Sequence, residues 1–345
     1  MLRLLDANLD RLGEGLRVLE DISRFVLNDA ALSVRLKKLR HSLVKNLGPL
    51  ERELLSARLV AEDVGAPTRR RIPSRHQDLP ALVAANSRRV QESLRVLEEF
   101  GRLSVGPVTG KAGLFEKARF EVYDLEQQVV GRLLRRDKAA RLRGLYLVFD
   151  AAALGGRDEV SVAAAAARGG VKTIQLRDKR RSKADVLASA RRLRPLCSEA
   201  GVLFIVNDHV DVALAVRADG VHLGQDDLPL AEARRILPLD MLIGCSSHSV
   251  AEAVRAQASG ADYVAMGSIF PTTSKEKYKL VGLEALRRAR PKLSVSLIAI
   301  GGINPSNIRA VMKTGVDGVA VISAIMGSSD VEKAARKLAA KMKGF

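Results

Sequence analysis

The sequence predicts an α/β protein in which an N-terminal all-helical domain precedes a C-terminal (β/α)8 TIM barrel. In the first 143 residues, apolar side chains recur at helical spacing and no alternating run resembles a strand. After Arg143, short runs rich in β-branched residues alternate with amphipathic helical stretches, the pattern of parallel βαβ units. There are eight such runs, the number of strands that closes this kind of barrel. We therefore place the helical domain at residues 1–138 and the barrel at residues 144–345.

The helical domain contains an internal repeat with a constant offset of 78 residues. The same polar residues recur at three-residue steps, at Asn8, Arg11, Glu14, Arg17 and Glu20 and again at Asn86, Arg89, Glu92, Arg95 and Glu98. Two interpretations are open. The repeat forms either surface ion pairs between neighbouring helical turns, worth about 0.2–0.5 kcal/mol each, or two pseudo-symmetric helices whose polar faces meet at an anion site.

The barrel strands are predicted from their nearly continuous apolar character, which is typical of a sheet that is buried on both faces. The eight runs are Gly144–Asp150, Val171–Arg177, Gly201–Asp208, Ala218–Gln225, Leu242–His248, Ala261–Phe270, Val295–Asn304 and Val316–Ile325. Helical stretches lie between them, for example Lys183–Glu199.

Composition narrows the class of partner. The formal net charge is +18 and is shared equally by the two halves of the chain, while aromatic residues make up only 3% and Trp is absent. This favours anionic small substrates over nucleic acid, because a basic surface attracts phosphates and stacking platforms for bases are scarce. No apolar run approaches the length of a membrane span, and Cys197 and Cys245 do not suggest a disulfide framework or a zinc site. We expect a cytoplasmic protein with no nucleic-acid or membrane partner.

Polar residues collect at the predicted carboxyl ends of the strands, where the active sites of such barrels lie. Gln175, Arg177 and Lys179 alternate, so we expect all three to point toward the barrel mouth. Asp208 and Asp227 follow the third and fourth strands and are the predicted ligands of one Mg²⁺, with Asp226 as a stand-in. The alternative is that these carboxylates only cap turns or helices.

The later strands supply candidates for anion binding. After the fifth strand, we interpret Ser246 as a hydrogen-bond donor to an anion and Cys245 as a core residue. The histidines at positions 209, 222 and 248 do not show metal-ligand spacing, and we interpret each as structural or as a support for residues that contact the ligand. The loop after the sixth strand carries hydroxyls and Lys275, which suit phosphate capture, although an ordinary polar loop is the alternative. Backbone amides at Gly302, Ile322 and Ser323 are predicted to hold a phosphate, because the loops after the last two strands often do so.

Together these residues predict a metal–diphosphate site beside a separate phosphate site. No general base or covalent nucleophile is evident. The chemistry that needs neither is ionisation of an activated diphosphate ester, followed by capture of the resulting cation by a second anionic substrate.

From about Leu145 onward the chain resembles the thiamine phosphate synthase family. The motifs that carry the resemblance are QLRDK at 175–179, ND at 207–208, ADGVHLGQDD at 218–227, GCSSH at 244–248, PTTSK at 271–275, IGGI at 300–303 and ISAI at 322–325. The resemblance implies joining of hydroxymethylpyrimidine diphosphate to thiazole phosphate, or its carboxylated form, which yields thiamine phosphate and pyrophosphate. Two departures are small: strand one reads LYLVFD, and the loop from Lys275 to Gly282 is about one residue short.

The resemblance also implies residue roles. The ligands of the pyrimidine diphosphate would be Gln175, Leu176, Arg177, Asp178, Lys179, Asn207, Ser246 and Lys275. The ligands of the thiazole phosphate would be Thr272, Thr273, Ser274, Gly302, Ile322 and Ser323. Asp208 and Asp227 would hold Mg²⁺, and Arg177, Ser246 and Lys275 would stabilise the charge that builds on the leaving group.

The helical half resembles an N-terminal domain that is found fused to this synthase and is regarded as an alternative hydroxymethylpyrimidine phosphate kinase. This implies ATP as a possible phosphate donor. Repeat arginines and the run Arg69–Arg71 could bind phosphates, but the sequence contains no Walker P-loop. A non-catalytic oligomerisation or docking module is the alternative for this half, and a homo-oligomer is possible. For the barrel, another phosphate-binding enzyme or a ligand-binding regulator is the less favoured alternative.

Overall fold

The computed structural model describes residues 1–45, 50–57, 76–272 and 279–345. These residues form two compact units, Met1–Leu134 and Arg135–Phe345. Among them, no helix combines the length and the apolar character needed to cross a membrane. The helical N-terminal region and the barrel predicted from the sequence are both confirmed.

The N-terminal helices follow the predicted apolar spacing. They are α1 (Leu2–Asp21), α2 (Ala30–Lys45), α3 (Glu51–Ser56), α4 (Leu79–Gly101) and α5 (Ala112–Ala140), with a π-helical turn at Ile22–Val26. Asp78 caps the N-terminus of helix α4, because its carboxylate accepts the N–H of Ala81 at 2.8 Å. Pro80 occupies the first turn of this helix, where no N–H is needed. Leucines at helical spacing form the buried core of this unit.

The two copies of the repeat lie on α1 and α4, which pack against each other. Asn8 and Asn86 make the same contact in each copy, since each side-chain amide donates to the carbonyl oxygen four residues earlier, at 2.8 and 2.9 Å. A Cβ at Gly15 would lie 2.5 Å from a methyl carbon of Val90. The repeat is therefore a pseudo-symmetric helix pair in close contact. Its last members, Glu20 and Glu98, are buried.

The C-terminal unit is a closed barrel of eight parallel strands in sequential order, with the first strand paired to the last. The strands are β1 (Gly144–Asp150), β2 (Thr173–Arg177), β3 (Leu203–Asn207), β4 (Gly220–Leu223), β5 (Leu242–Ser247), β6 (Tyr263–Met266), β7 (Ser296–Ile300) and β8 (Gly318–Val321). Each lies within one of the eight predicted runs.

Helices connect consecutive strands and cover the outside of the barrel. They are α6 (Glu159–Arg168), α7 (Lys183–Glu199), α8 (Val210–Ala215), α9 (Leu230–Ile236), α10 (Val250–Ala258), α11 (Gly282–Ala289), α12 (Ile308–Met312), α13 (Ser323–Met326) and α14 (Val331–Met342). Alternate strand residues pack outward against these helices or inward along the axis, which produces two separate apolar clusters. The inner cluster, which includes Tyr146 and Tyr263, leaves the carboxyl ends of the strands to polar residues.

Candidate active site

A cavity of about 380 Å³ opens at the carboxyl ends of the barrel strands. It gathers most of the polar residues that the sequence analysis singled out, although they come from different strands. The predicted ligands that line it are Gln175, Arg177, Lys179, Asn207, Asp208, Asp227, Ser246, Thr272 and Ile322. The geometry thus places the predicted diphosphate, metal and phosphate residues around one space.

Strand β2 supplies the cations through its two-residue alternation. Gln175 and Arg177 face the cavity, whereas Leu176 between them packs in the outer core. The Arg177 guanidinium is paired with the carboxylate of Asp150, its register partner on β1. Lys179 follows in the loop, and its Nζ lies 3.2 Å from Oδ2 of Asp208.

Two carboxylates from neighbouring strand ends meet at the cavity. Asp208 adopts a left-handed backbone with a φ of 62°, a conformation that is uncommon outside glycine and concentrates at functional sites. Burial and the adjacent Asp227 carboxyl raise the pKa of Asp208. Oδ2 of Asp227 accepts the N–H of Gly224 at 2.6 Å. The described residues contain no group of three or more His, Cys, Asp or Glu that could hold a metal. The carboxylates of Asp208 and Asp227 both line the cavity, where they are oxygen donors.

A buried hydrogen-bond chain connects two of the predicted substrate ligands beneath the cavity. Gln175 donates through Nε2 to the Tyr146 hydroxyl at 2.8 Å, and this hydroxyl lies 3.0 Å from that of Tyr263. Nδ1 of His222 lies 3.1 Å from the Tyr263 hydroxyl, and its Nε2 lies 3.0 Å from Oγ of Ser246. Burial lowers the pKa of His222 to about 4, so the imidazole is neutral at neutral pH.

Tyrosines 146 and 263 were not singled out from the sequence. They lie 117 positions apart and meet only because β1 and β6 face each other across the barrel. The one feature of the sequence that relates to this contact is the glycine at position 244. Gly244 pairs with Tyr263 across β5 and β6, and a Cβ at Gly244 would lie 2.1 Å from the tyrosine ring. The glycine of the GCSSH motif therefore makes room for this ring.

The predicted phosphate end of the site is only partly lined by the predicted residues. Ile322 and Thr272 line the cavity together with Gly301, whereas Gly302 and Ser323 do not reach its surface. Gly302 has a φ of 64°, and a Cβ there would lie 2.3 Å from the carbonyl oxygen of Pro271, so the close approach of these two loops needs glycine. Thr273, Ser274 and Lys275 lie outside the described residues.

Two further predicted ligands face away from the cavity. Leu176 is 1% exposed and belongs to the core beneath the helices. Asp178 is also buried, and its Oδ1 accepts the backbone N–H groups of Arg180 and Arg181. Strand alternation points the Leu176 side chain outward, and Asp178 folds back onto its own loop, so neither side chain faces the cavity. Their role as ligands of the diphosphate stays a prediction, which their backbone atoms would have to fulfil.

The remaining candidates of the fifth strand behave as structural groups. Burial raises the pKa of the Cys245 thiol to about 11, so this thiol is not a ready nucleophile. Nδ1 of His248 lies 2.7 Å from the carbonyl oxygen of Gly267, a contact that fixes the ring. Ser247 also lines the cavity, and its buried hydroxyl lacks a hydrogen-bond partner among the described residues.

In the helical unit, the repeat arginines divide into two sets. Arg17 and Arg95 pair with carboxylates on their own helices, as the surface ion-pair interpretation predicts. Arg11 and Arg89 are exposed and form no ion pair with another described residue. The run Arg69–Arg71 lies outside the described residues.

The chain is similar to known proteins over both of its parts. A thiamine monophosphate synthase family model matches residues 145–325, and the ThiD2 family model matches residues 3–128. Thiamine-phosphate synthases from Thermosynechococcus vestitus and Synechocystis sp. are 42% and 39% identical to the chain, over 97% of its length and 93% and 94% of theirs. A solved thiamine phosphate pyrophosphorylase from Pyrococcus furiosus is 42% identical, with a TM-score of 0.55, over 60% of this chain and 98% of its own. This chain belongs to the thiamine-phosphate synthase family.

Proposed function

We propose that the barrel condenses 4-amino-2-methyl-5-hydroxymethylpyrimidine diphosphate with 4-methyl-5-(2-phosphoethyl)thiazole, or its carboxylated form, to give thiamine phosphate and pyrophosphate. With the carboxylated form, carbon dioxide is released as well. Family membership supports this reaction. The observation that carries the residue assignment is the single cavity in which cations, an amide pair and two carboxylates from consecutive strand ends converge.

The diphosphate half of the substrate would be held by the strand-end residues Gln175, Arg177, Lys179, Asn207 and Ser246, with Lys275 added from the loop after β6. Arg177, Ser246 and Lys275 are the proposed catalytic residues. The thiazole phosphate would contact Thr272, Thr273, Ser274 and Ile322, and the backbone at Gly302 and Ser323. Two anionic substrates would then share one cavity, where the cationic side chains and a bound metal ion would screen their mutual repulsion.

Asp208 and Asp227 fit a magnesium ion, because both are oxygen donors and their adjacent carboxyls disfavour the doubly ionised state without a cation between them. When bound, Mg²⁺ would neutralise charge on the diphosphate leaving group. Lys179, which lies against Asp208, would then be free to turn toward the diphosphate oxygens.

The reaction breaks the bond between the pyrimidine methylene carbon and the diphosphate oxygen, and that oxygen keeps the electron pair. The thiazole nitrogen then supplies its lone pair to the carbon. Neither step requires removal of a proton by the protein, in agreement with a cavity whose buried imidazole, His222, is neutral and engaged on both sides. Arg177 and Ser246 favour the first step because they bind the leaving group more strongly as its negative charge grows.

For the helical unit, we propose phosphorylation of hydroxymethylpyrimidine phosphate with ATP as the donor, which would supply the diphosphate that the barrel consumes. The match to the ThiD2 family over residues 3–128 supports it. A docking or oligomerisation module is the second candidate, because the sequence contains no Walker P-loop for a nucleotide. A homo-oligomer and a cytoplasmic location remain predictions.

One coupled assay tests both activities on the full chain with Mg²⁺. The first tube contains hydroxymethylpyrimidine phosphate, thiazole phosphate and ATP, and the second contains the pyrimidine diphosphate and thiazole phosphate without ATP. Thiamine phosphate in both tubes supports a bifunctional enzyme, and product in the second tube alone contradicts the ATP-dependent kinase. The Asp208→Asn variant separates the two steps, because it should accumulate pyrimidine diphosphate in the first tube. If the wild type forms no product in either tube, the synthase activity is contradicted.

A further inference from the structure

The loop between β2 and α7 carries Lys179, whose side chain is largely exposed while the backbone beside it is hydrogen-bonded to a buried carboxylate. The Lys179 side chain is 56% exposed, so packing alone does not fix it between the cavity and Asp208. A long lysine side chain loses conformational entropy when it is immobilised. Any residue that fixes the backbone of this loop therefore reduces the number of positions that the ammonium can adopt.

Asp178 and Arg181 fix this backbone. Oδ1 of Asp178 accepts the N–H groups of Arg180 and Arg181, both at 3.0 Å, and its Oδ2 accepts from Nε of Arg181. Burial opposes ionisation of this carboxyl, yet these N–H donors and the guanidinium hold its pKa below the ordinary value. The residue before Lys179 thus holds the two residues after it through one buried carboxylate.

The contact continues away from the cavity into two helices. Nη2 of Arg181 donates to Oγ of Ser189 on α7 at 3.0 Å, and this hydroxyl donates to Oε2 of Glu159 on α6 at 2.7 Å. Ser189 and Glu159 are 3% and 7% exposed. The chain of contacts Asp178–Arg181–Ser189–Glu159, here called the loop clamp, thus anchors an exposed loop in the buried layer between helices and barrel.

We infer that the loop clamp positions Lys179 for the diphosphate-bearing substrate, so that Asp178, Arg181, Ser189 and Glu159 are positioning residues for substrate affinity. The inference rests on the proposed synthase function of the barrel. It also explains why a buried aspartate stands between two residues that face the cavity. Its carboxylate accepts hydrogen bonds from Arg180 and Arg181 outside the cavity and thereby determines where its neighbour points.

The test compares Arg181→Gln and Ser189→Ala with the wild type in the full chain. Arg181→Gln should raise KM for the pyrimidine diphosphate about tenfold, the effect of losing a charge-assisted hydrogen bond. KM for the thiazole phosphate should not change. The milder Ser189→Ala should shift the same constant in the same direction by a smaller factor. Arg168→Gln is the matched control. Arg168 lies at the other end of α6 from Glu159 and pairs with Glu332 on α14, so its replacement should leave both KM values unchanged.

A double-mutant cycle with Lys179→Ala distinguishes positioning from general loosening of the fold. If the clamp acts through Lys179, Arg181→Gln has no further effect on KM once the lysine is absent. Equal effects with and without Lys179, or equal rises in both KM values, overturn the inference. Isothermal titration with inorganic pyrophosphate and Mg²⁺ gives a second readout, in which Arg181→Gln should weaken binding only when Lys179 is present. A wild-type chain without turnover contradicts the proposed function instead, and the pyrophosphate cycle then decides the role of the clamp by itself.

Discussion

Nε2 of His222 lies 3.0 Å from Oγ of Ser246, and this contact determines which way the serine hydroxyl points. Gln175 can only donate to Tyr146, since its nitrogen makes the contact. If each hydroxyl then donates to the next group, Tyr146 donates to Tyr263 and Tyr263 donates to Nδ1 of His222. The Nε2–H of this tautomer donates to Ser246, and the serine proton is left to donate into the cavity. In this arrangement the buried chain would leave Ser246 as the hydrogen-bond donor that the proposed diphosphate site requires.

The first prediction concerns the pH dependence of stability through His222. Its pKa is about 4 in the folded chain and about 6.5 when exposed, so the unfolded chain binds an extra proton between these values. The contribution of His222 to the free energy of unfolding should therefore fall by about 1.4 kcal/mol per pH unit as the pH drops from 6.5 to 4. The variant His222→Gln lacks this contribution, so its deficit relative to the wild type should shrink in that window.

Urea unfolding at several pH values, followed by circular dichroism, measures this difference. The exposed His41 provides a control, since His41→Gln removes an imidazole that is not buried. Wild-type and His222→Gln stabilities that run parallel between pH 6.5 and 4 would show that the buried ring does not remain neutral.

The second prediction concerns metal binding at Asp208. Asp208→Asn removes one of two adjacent carboxylates, so the metal-free barrel should be as stable as the wild type or more stable. At a Mg²⁺ concentration of about 100 Kd, the wild type should gain about 2.7 kcal/mol from binding, and the variant should gain almost nothing. Synthase turnover should fall by about 100-fold or more.

Thermal unfolding with and without Mg²⁺ checks the stability part, and product formation checks the turnover. Asp211→Asn is the matched control, because it removes an exposed carboxylate that pairs with Lys183. A magnesium-dependent rise in Tm that persists unchanged in Asp208→Asn contradicts the assignment of this residue as a ligand.

The sequence allowed the barrel and most of its mouth to be predicted because both depend on local patterns. Parallel strands appear in the sequence as short apolar runs, and the carboxyl ends of all the strands lie at the same rim of the barrel. The position of a polar residue at such an end can therefore be predicted from its own strand alone. Gln175 and Arg177 illustrate this, since their alternation in the sequence is their alternation in the structure. The same rule, applied to Leu176, would have pointed it outward.

The remaining features depend on contacts between distant parts of the chain. No local pattern connects Tyr146 with Tyr263, because the distance across a closed barrel is set by all eight strands together. The loop clamp is likewise invisible in the sequence, since Arg181, Ser189 and Glu159 come from a loop and two helices. For the helical unit, the repeat gave the pairing of α1 with α4 as one of two open interpretations, and it gave no sign of the different surroundings of Glu20 and Glu98.

The third prediction concerns the space that Gly244 leaves for Tyr263. Gly244→Ala would place a Cβ 2.1 Å from the tyrosine ring, and the ring is held by its neighbours in the barrel. We expect a loss of about 1–3 kcal/mol in the free energy of unfolding, as for other overpacked cores. Gly113→Ala is the matched control: no atom lies within 4 Å of the added carbon, and the residue is helical. It should leave stability unchanged or raise it by up to about 1 kcal/mol. Urea unfolding compares the two, and equal stabilities would contradict the close contact.

The fourth prediction concerns the two buried glutamates that end the repeat. Glu98 is fully buried and accepts from Arg95, Arg102 and Arg119, whereas Glu20 accepts from Arg40 at 2.9 Å and lies 4.0 Å from Arg17. Glu98→Gln should therefore cost about 3 kcal/mol, because it leaves several guanidinium groups without their charged partner, and Glu20→Gln should cost less. Urea unfolding of the full chain, followed by circular dichroism, measures both.

The pH dependence of the Glu98→Gln deficit gives this prediction a second test. Burial opposes ionisation of Glu98, but the surrounding arginines, led by Arg119, hold its pKa below the ordinary value of 4.5. A carboxyl with a lowered pKa contributes stability above its unfolded pKa and loses it as the pH falls through the folded pKa. The gap between wild type and Glu98→Gln should therefore be constant near neutral pH and narrow below about pH 4.5. Glu99→Gln, which alters the exposed carboxylate next to it, is the control and should have little effect at any pH. If Glu98→Gln and Glu99→Gln cost the same, the three arginines do not depend on the buried carboxylate.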